Sequence, residues 1–146
     1  MRFQVVPAAY VVLRRDDEVL LQLRRGTGYM DEHWAAAVAG HVEKGESVHD
    51  AAHREAVEEI GVTDVELRAW CAMQRTGTGS PVDERVDYFF TATAWTGTPR
   101  IMEPDKCADL RWFNLDALPS PVVPHELRVL TSIRTGSTPA FVTHGF

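Results

Sequence analysis

The chain is short of several things, and each shortage removes a class of protein. No apolar run approaches the ~20 residues that a bilayer-spanning helix needs, so no membrane partner is expected. The opening stretch, "MRFQVVPAAYVVLRR", is partly apolar, but Pro7 interrupts it and no clear cleavage site follows, which argues against a signal peptide. Among 146 residues only Cys71 and Cys107 are cysteine, without CxxC spacing. Two thiols make no disulfide framework in a chain this long, so a cytoplasmic protein with both thiols buried as small apolar groups is expected. Basic excess is also missing. The formal charge is −6 and the pI near 5.4, which weighs against gripping a phosphate backbone, and no nucleic-acid polymer is expected as a partner. A nucleotide stays open, because metal ions and a few arginines neutralise phosphates locally. Repeats, low-complexity tracts and linkers are lacking too, so residues 1–146 are expected to form one domain.

What is present reads as strands and two helices. Val5 to Leu13 is valine-rich and suits a buried strand, Arg14 to Glu18 a polar turn, and Val19 to Arg25 the partner strand of a hairpin. Gly26 to His33 is a loop, and Trp34 to Gly40 a short extended piece. Ser47 to Ile60 is the clearest helix. Ser47 and Asp50 form a start signal in which each side chain can satisfy an orphan backbone donor, and Gly61 is placed to stop the helix. Val65 to Thr76 and Arg85 to Trp95 are strands around a Gly/Pro/Ser loop at 77–84, and Leu110 to Leu115 is a final strand. Pro124 to Gly136 reads as a second helix, with proline at its start and glycine past its end. This order predicts an α/β (α+β) fold, a mixed sheet flanked by helices.

The densest stretch is "AGHVEKGESVHDAAHREAVEEIGV", residues 39–62. On a helical wheel Glu55, Glu58 and Glu59 fall within about 100° of one another and border the apolar Val48, Ala51 and Ala52. Arg54 can pair with Glu58 at i,i+4 for only ~0.2–0.5 kcal/mol, too little to offset three neighbouring acids. Lysine is absent from this helix. Partly desolvated carboxylates need a cation, and hard Mg2+ or Mn2+ is the natural one. On the residues alone, an acidic solvated face stays open beside a metal site.

The spacing adds a resemblance. Gly40, five residues, Glu46, seven residues, then "REAVEEIGV" (Arg54 to Val62) is similar to the Nudix signature G-x5-E-x7-R-E-U-x-E-E-x-G-U. Every fixed position matches, while Ala56 is smaller than the bulky aliphatic expected there. The resemblance implies the family's α/β/α sandwich and hydrolysis of a nucleoside diphosphate linked to another moiety, with Mg2+ (or Mn2+) as cofactor. It implies Glu55, Glu58 and Glu59 as metal ligands, the Ala39 carbonyl completing the shell, and Glu46 and Arg54 bracing them. Gly40 is read as turning the chain. Some relatives place the general base in a late loop, where "MEPDKCADLRW" offers Glu103, Asp105 and Asp109, with Glu103 favoured.

Arg24 and Arg25 could contact phosphates, only one of them facing the site because strand side chains alternate. Tyr29, His33 and Trp34 are candidates for stacking on a base or ribose, with packing the favoured reading for each, and Trp112 and Phe113 are read as packing first. His41, His49 and His53 are read as surface or packing residues. The expected substrate is a nucleoside triphosphate or related nucleotide derivative. Motifs for ADP-ribose and other substrates are not found downstream, where Gly77 and Thr78 stand in place of a proline or tyrosine. The alternatives are an ADP-ribose or nucleotide-sugar pyrophosphatase, a non-catalytic nucleotide-binding sensor, and an isoprenoid diphosphate isomerase of the same fold. A homodimer is left open.

Overall fold

The computed structural model describes residues 2–77 and 79–146; Thr78, noted above, lies outside them. Eight strands run β1 Val6–Arg15, β2 Glu18–Arg24, β3 Trp34–Ala36, β4 Val38–His41, β5 Arg68–Arg75, β6 Arg85–Ala92, β7 Cys107–Asn114 and β8 Phe141–His144. Two helices, α1 Val48–Ile60 and α2 Pro124–Thr135, complete the order. The sheet path is β3-β2-β1-β6-β5-β8, with β4 also on β1 and β7 also on β2. Antiparallel pairs dominate, but β1 lies parallel to β6 from Val6↔Arg85 to Leu13↔Ala92, and β8 parallel to β5. The expected mixed sheet is therefore present.

The near-continuous apolar run of β1 follows from burial on both faces. Ala8, Tyr10 and Val12 point into one core with Val19, Met73, Phe89 and the α2 residues Val129, Leu130 and Ile133. Ala9, Val11 and Leu13 point into the other, with Leu20, Phe90 and the α1 residues Ala51, Ala52, Ala56 and Ile60. Helices on opposite faces of one sheet make the expected α/β/α sandwich. Three alanines on the inner face of α1 leave room for close approach, and Ala56, small for the signature, is one of them.

Several boundaries differ from the sequence expectation. Arg14 and Arg15 continue β1, so the turn shrinks to Asp16 and Asp17. The helix start is only half a reciprocal cap: Ser47 Oγ accepts from the Asp50 amide at 3.0 Å, with no return bond from the Asp50 side chain among the described contacts. Gly61 stops α1 in the left-handed region, at φ 68°. The 77–84 loop holds a 3-10 turn, Pro81–Asp83. Strand β8 was not expected. No described helix is long and apolar enough to cross a membrane.

Helix α2 is tied to the sheet by a buried acid. Glu126, 5% exposed, accepts the Ala36 amide at 2.7 Å. Burial pushes its carboxyl up to about 7, against the pull of the Ala36 amide and of Arg24. The unfolded chain ionises first as pH rises, so this acid costs stability progressively between its ordinary value and about 7. Glu126→Gln keeps the acceptor and cannot ionise. Its stability relative to wild type should rise by about 3 kcal/mol between roughly pH 4 and pH 8, measured by urea unfolding. An unchanged difference across that range would contradict this account.

Candidate functional site

The acidic motif folds around Arg54. Its Nε donates to Glu46 Oε2 at 2.7 Å and its Nη2 to Glu46 Oε1 at 3.0 Å, a two-pronged grip on one carboxylate. Nη1 reaches Glu55 Oε1 at 2.9 Å and Glu58 Oε2 at 3.2 Å, while Nη2 also bonds the His41 carbonyl at 3.1 Å. Glu46 in turn accepts the Glu43 amide. The guanidinium, chiefly, holds the Glu46 carboxyl down to about 2. One cation thus fastens α1 to the segment after β4.

Glu55 and Glu59 point back under β4. Glu59 Oε2 accepts the Ala39 amide at 2.7 Å. Glu55 packs on Gly40, where a Cβ would lie 2.2 Å from its carboxyl carbon. Gly40 does not turn the chain as expected; it lies inside β4, paired with Ala9, and its missing side chain makes room for Glu55. Glu58 is more open, with its side chain 53% exposed and paired to Arg54. Burial raises the Glu55 carboxyl above its ordinary value, opposed by Arg54 and reinforced by Glu58 and Glu103. Burial also raises Glu59 strongly, the Ala39 amide opposing and the charges of Glu55 and Glu103 adding to it.

Glu103 pairs with Lys106 Nζ at 3.4 Å in a loop that the backbone ties to α1. The Arg100 amide bonds the Ile60 carbonyl at 3.0 Å, and the Met102 amide bonds the Glu59 carbonyl at 3.3 Å, pinning this loop to the end of α1. Asp109 is instead engaged by Arg111 and its own Leu110 amide. Asp105 is exposed.

A cavity of about 390 Å³ opens beside Ala39 and Gly40, lined also by Arg24, Tyr29, Arg75 and Arg85. Arg24 is the strand arginine that faces it; exposed Arg25 is not part of its wall. The Arg24 guanidinium bonds the Tyr29 carbonyl and Thr27 Oγ1, and lies 5.6 Å from the Tyr29 ring centroid. Trp34 packs edge-on against Phe113, and Trp112 stacks on Trp95, as packing residues. His49 lies against Phe90 and His53 is exposed. Both cysteines are free.

Sequence reading missed the polar group behind this cavity. Asp87 is fully buried, with Oδ2 at 2.5 Å from Arg75 Nε and Oδ1 at 3.6 Å from Arg85. His125 Nε2 lies 3.7 Å from the same carboxylate and 3.4 Å from the Tyr10 hydroxyl. Burial, with nearby arginines, holds His125 down to about 2, so it is neutral. The available signal was one acid inside the apolar strand "RVDYFF", since a buried charge requires a cationic partner.

The chain as a whole is similar to known proteins. A sequence model described as NUDIX domain matches residues 4–133. The chain is 33% identical over 114 residues to the "NAD-capped RNA hydrolase NudC" of Stutzerimonas stutzeri, covering 78% of this chain and 38% of that protein. The protein of the same name from Chromobacterium violaceum is 33% identical over 125 residues, covering 83% and 42%. Among solved structures, a MutT NUDIX hydrolase from Burkholderia pseudomallei has a TM-score of 0.82 at 28% identity, over 89% of this chain and 98% of that one. The chain belongs to the NUDIX family. It spans about two fifths of the length of these curated relatives. The RNA in their name is said of those longer proteins.

The residues fit a divalent cation in chemistry: hard carboxylate oxygens, crowded and partly desolvated. Among the described residues no three acids, histidines or cysteines yet converge closely enough to hold an ion, since Arg54 and the Ala39 amide engage the carboxylates. Gly40→Ala should move the flexible end of Glu55 rather than β4. Its unfolding free energy should stay within about 1 kcal/mol of wild type, while Mn2+ affinity by titration calorimetry falls about 10–100-fold. Unaltered affinity would remove Glu55 from the ligand set.

Proposed function

We propose that this chain is a divalent-metal-dependent pyrophosphohydrolase acting on a nucleoside diphosphate linked to a second moiety. The observation carrying this reading is the convergence of Glu55 and Glu59 beneath Ala39 and Gly40, beside an open cavity. Glu55, Glu59 and the Ala39 carbonyl would hold Mg2+ or Mn2+, with Glu58 at the open side. Bound there, the cation would neutralise phosphate oxygens and acidify a water. Arg54 and Glu46 keep the acids oriented. Glu103, in the loop that the Met102–Glu59 backbone bond holds against the end of α1, would accept the proton of the attacking water.

The curated relatives favour a diphosphate joining two larger halves over a simple triphosphate, because their name specifies an NAD cap. Nucleoside triphosphates, ADP-ribose and nucleotide sugars belong in the same screen. With all four box glutamates and Arg54 present, hydrolysis is favoured over a silent nucleotide sensor.

A product screen by chromatography over these substrates tests the reading. Turnover should require Mg2+ or Mn2+, vanish with EDTA, and be lost in Glu59→Gln. Glu103→Gln should lower kcat by about 10²–10⁴-fold at saturating metal. Activity that survives Glu59→Gln would sink the metal reading, and an unchanged kcat in the Glu103 variant would move the base elsewhere.

A further inference from the structure

Three arginines, Arg24, Arg75 and Arg85, line the cavity that opens beside Ala39 and Gly40. Arg75 and Arg85 are direct cross-strand partners in the β5–β6 register, an arrangement in which like charges destabilise a sheet. Asp87, two positions along β6 on the same face, is the one fully buried carboxylate between them, and its short contact goes to Arg75. Buried Arg85 Nε and the Asp87 Oδ1 that faces Arg85 both lack a hydrogen-bond partner among the described residues. His125 and Tyr10 behind them are uncharged, burial driving both that way. Two further acids line the cavity: Glu126, which is committed to the Ala36 amide, and Asp83 of the 3-10 turn.

A flat apolar group in this cavity would leave guanidinium donors unsatisfied, whereas an anion with several oxygens would satisfy them in the forked geometry arginine favours. We propose that Arg85 and Arg75, with Asp87 as the positioning residue, bind a second phosphate group of the substrate, one outside the pyrophosphate that is cleaved. The proposal rests on the pyrophosphohydrolase reading. The cavity reaches the backbone of Ala39 and Gly40, on which Glu59 and Glu55 rest, and its volume of about 390 Å³ accommodates a phosphorylated sugar.

Matched probes test this without turnover. Binding of NADPH against NADH, and of coenzyme A against dephospho-coenzyme A, is measured by calorimetry in EDTA, so the acid cluster affects both members of a pair alike. Inorganic phosphate is titrated in parallel. In at least one pair the phosphorylated member should bind about 10–100-fold more tightly. That ratio should collapse in Arg85→Gln and persist in Glu59→Gln. The double variant Arg75→Gln/Asp87→Asn, which leaves no buried unpaired charge between these two positions, should reduce it too, with folding checked by thermal melting. Equal binding within both pairs, or a preference that survives Arg85→Gln, overturns the proposal. Phosphate binding without discrimination in either pair also overturns it, by marking a site for the free ion. Because these readouts need no hydrolysis, a failed activity screen strikes the hydrolase reading alone.

Discussion

The Arg54 guanidinium lies among the carboxylates of Glu46, Glu55 and Glu58 and the carbonyl of His41, and the acid cluster depends on it. These three carboxylates would otherwise repel one another, and α1 would have no polar bond to the segment after β4 through these residues. A flexible ammonium could neutralise one acid at a time. The planar fork addresses several acceptors in fixed directions, which is why arginine rather than lysine suits this position. The exposed edge of each ion pair contributes little by itself. The value lies in geometry: with Arg54 occupied by Glu46, Glu55 is directed toward Gly40 and Glu59 is left to the Ala39 amide.

The sandwich separates two tasks across one sheet. The α1 side carries the acids, brought to the sheet edge by a helix whose inner face is almost all alanine. The α2 side carries Tyr10, Asp87, His125 and Glu126, a buried polar layer behind the cavity. Strand β1 feeds both sides through alternate residues, so neither half can shift without the other. Ala39 and Gly40 lie where the halves meet, with backbone on the acids and cavity on the other side.

The helices, the sheet and the acidic motif were legible because local rules determine them. Valine runs, the Ser47 cap, Gly61 and the spacing of Arg54 to Glu59 all act within a few turns of chain. The role of Gly40 was not legible, since nothing local says that a strand glycine faces a carboxylate fifteen residues away. Nor was β8, four residues at the sheet edge with no strong alternation. The Arg75–Asp87–Arg85 group was hidden for a related reason. Its members are ordinary charged residues until cross-strand register places them face to face. Arg24 and Arg25 show the middle case: alternation said that one would face inward, and the fold selected Arg24.

The parallel pairing of β1 with β6 also orders assembly in time. Val6 and Arg85 become neighbours across about half the chain, a closure with a large entropic cost and a slow step for any two-state folder. The acid cluster lies wholly inside the segment being closed, between β1 and the end of α1, and its contacts span at most about twenty residues. Arg75, Asp87 and Arg85 likewise lie within one β5–β6 hairpin, at most twelve residues apart. Each group is thus built from local contacts, and the β1–β6 pairing is what brings the two onto one sheet.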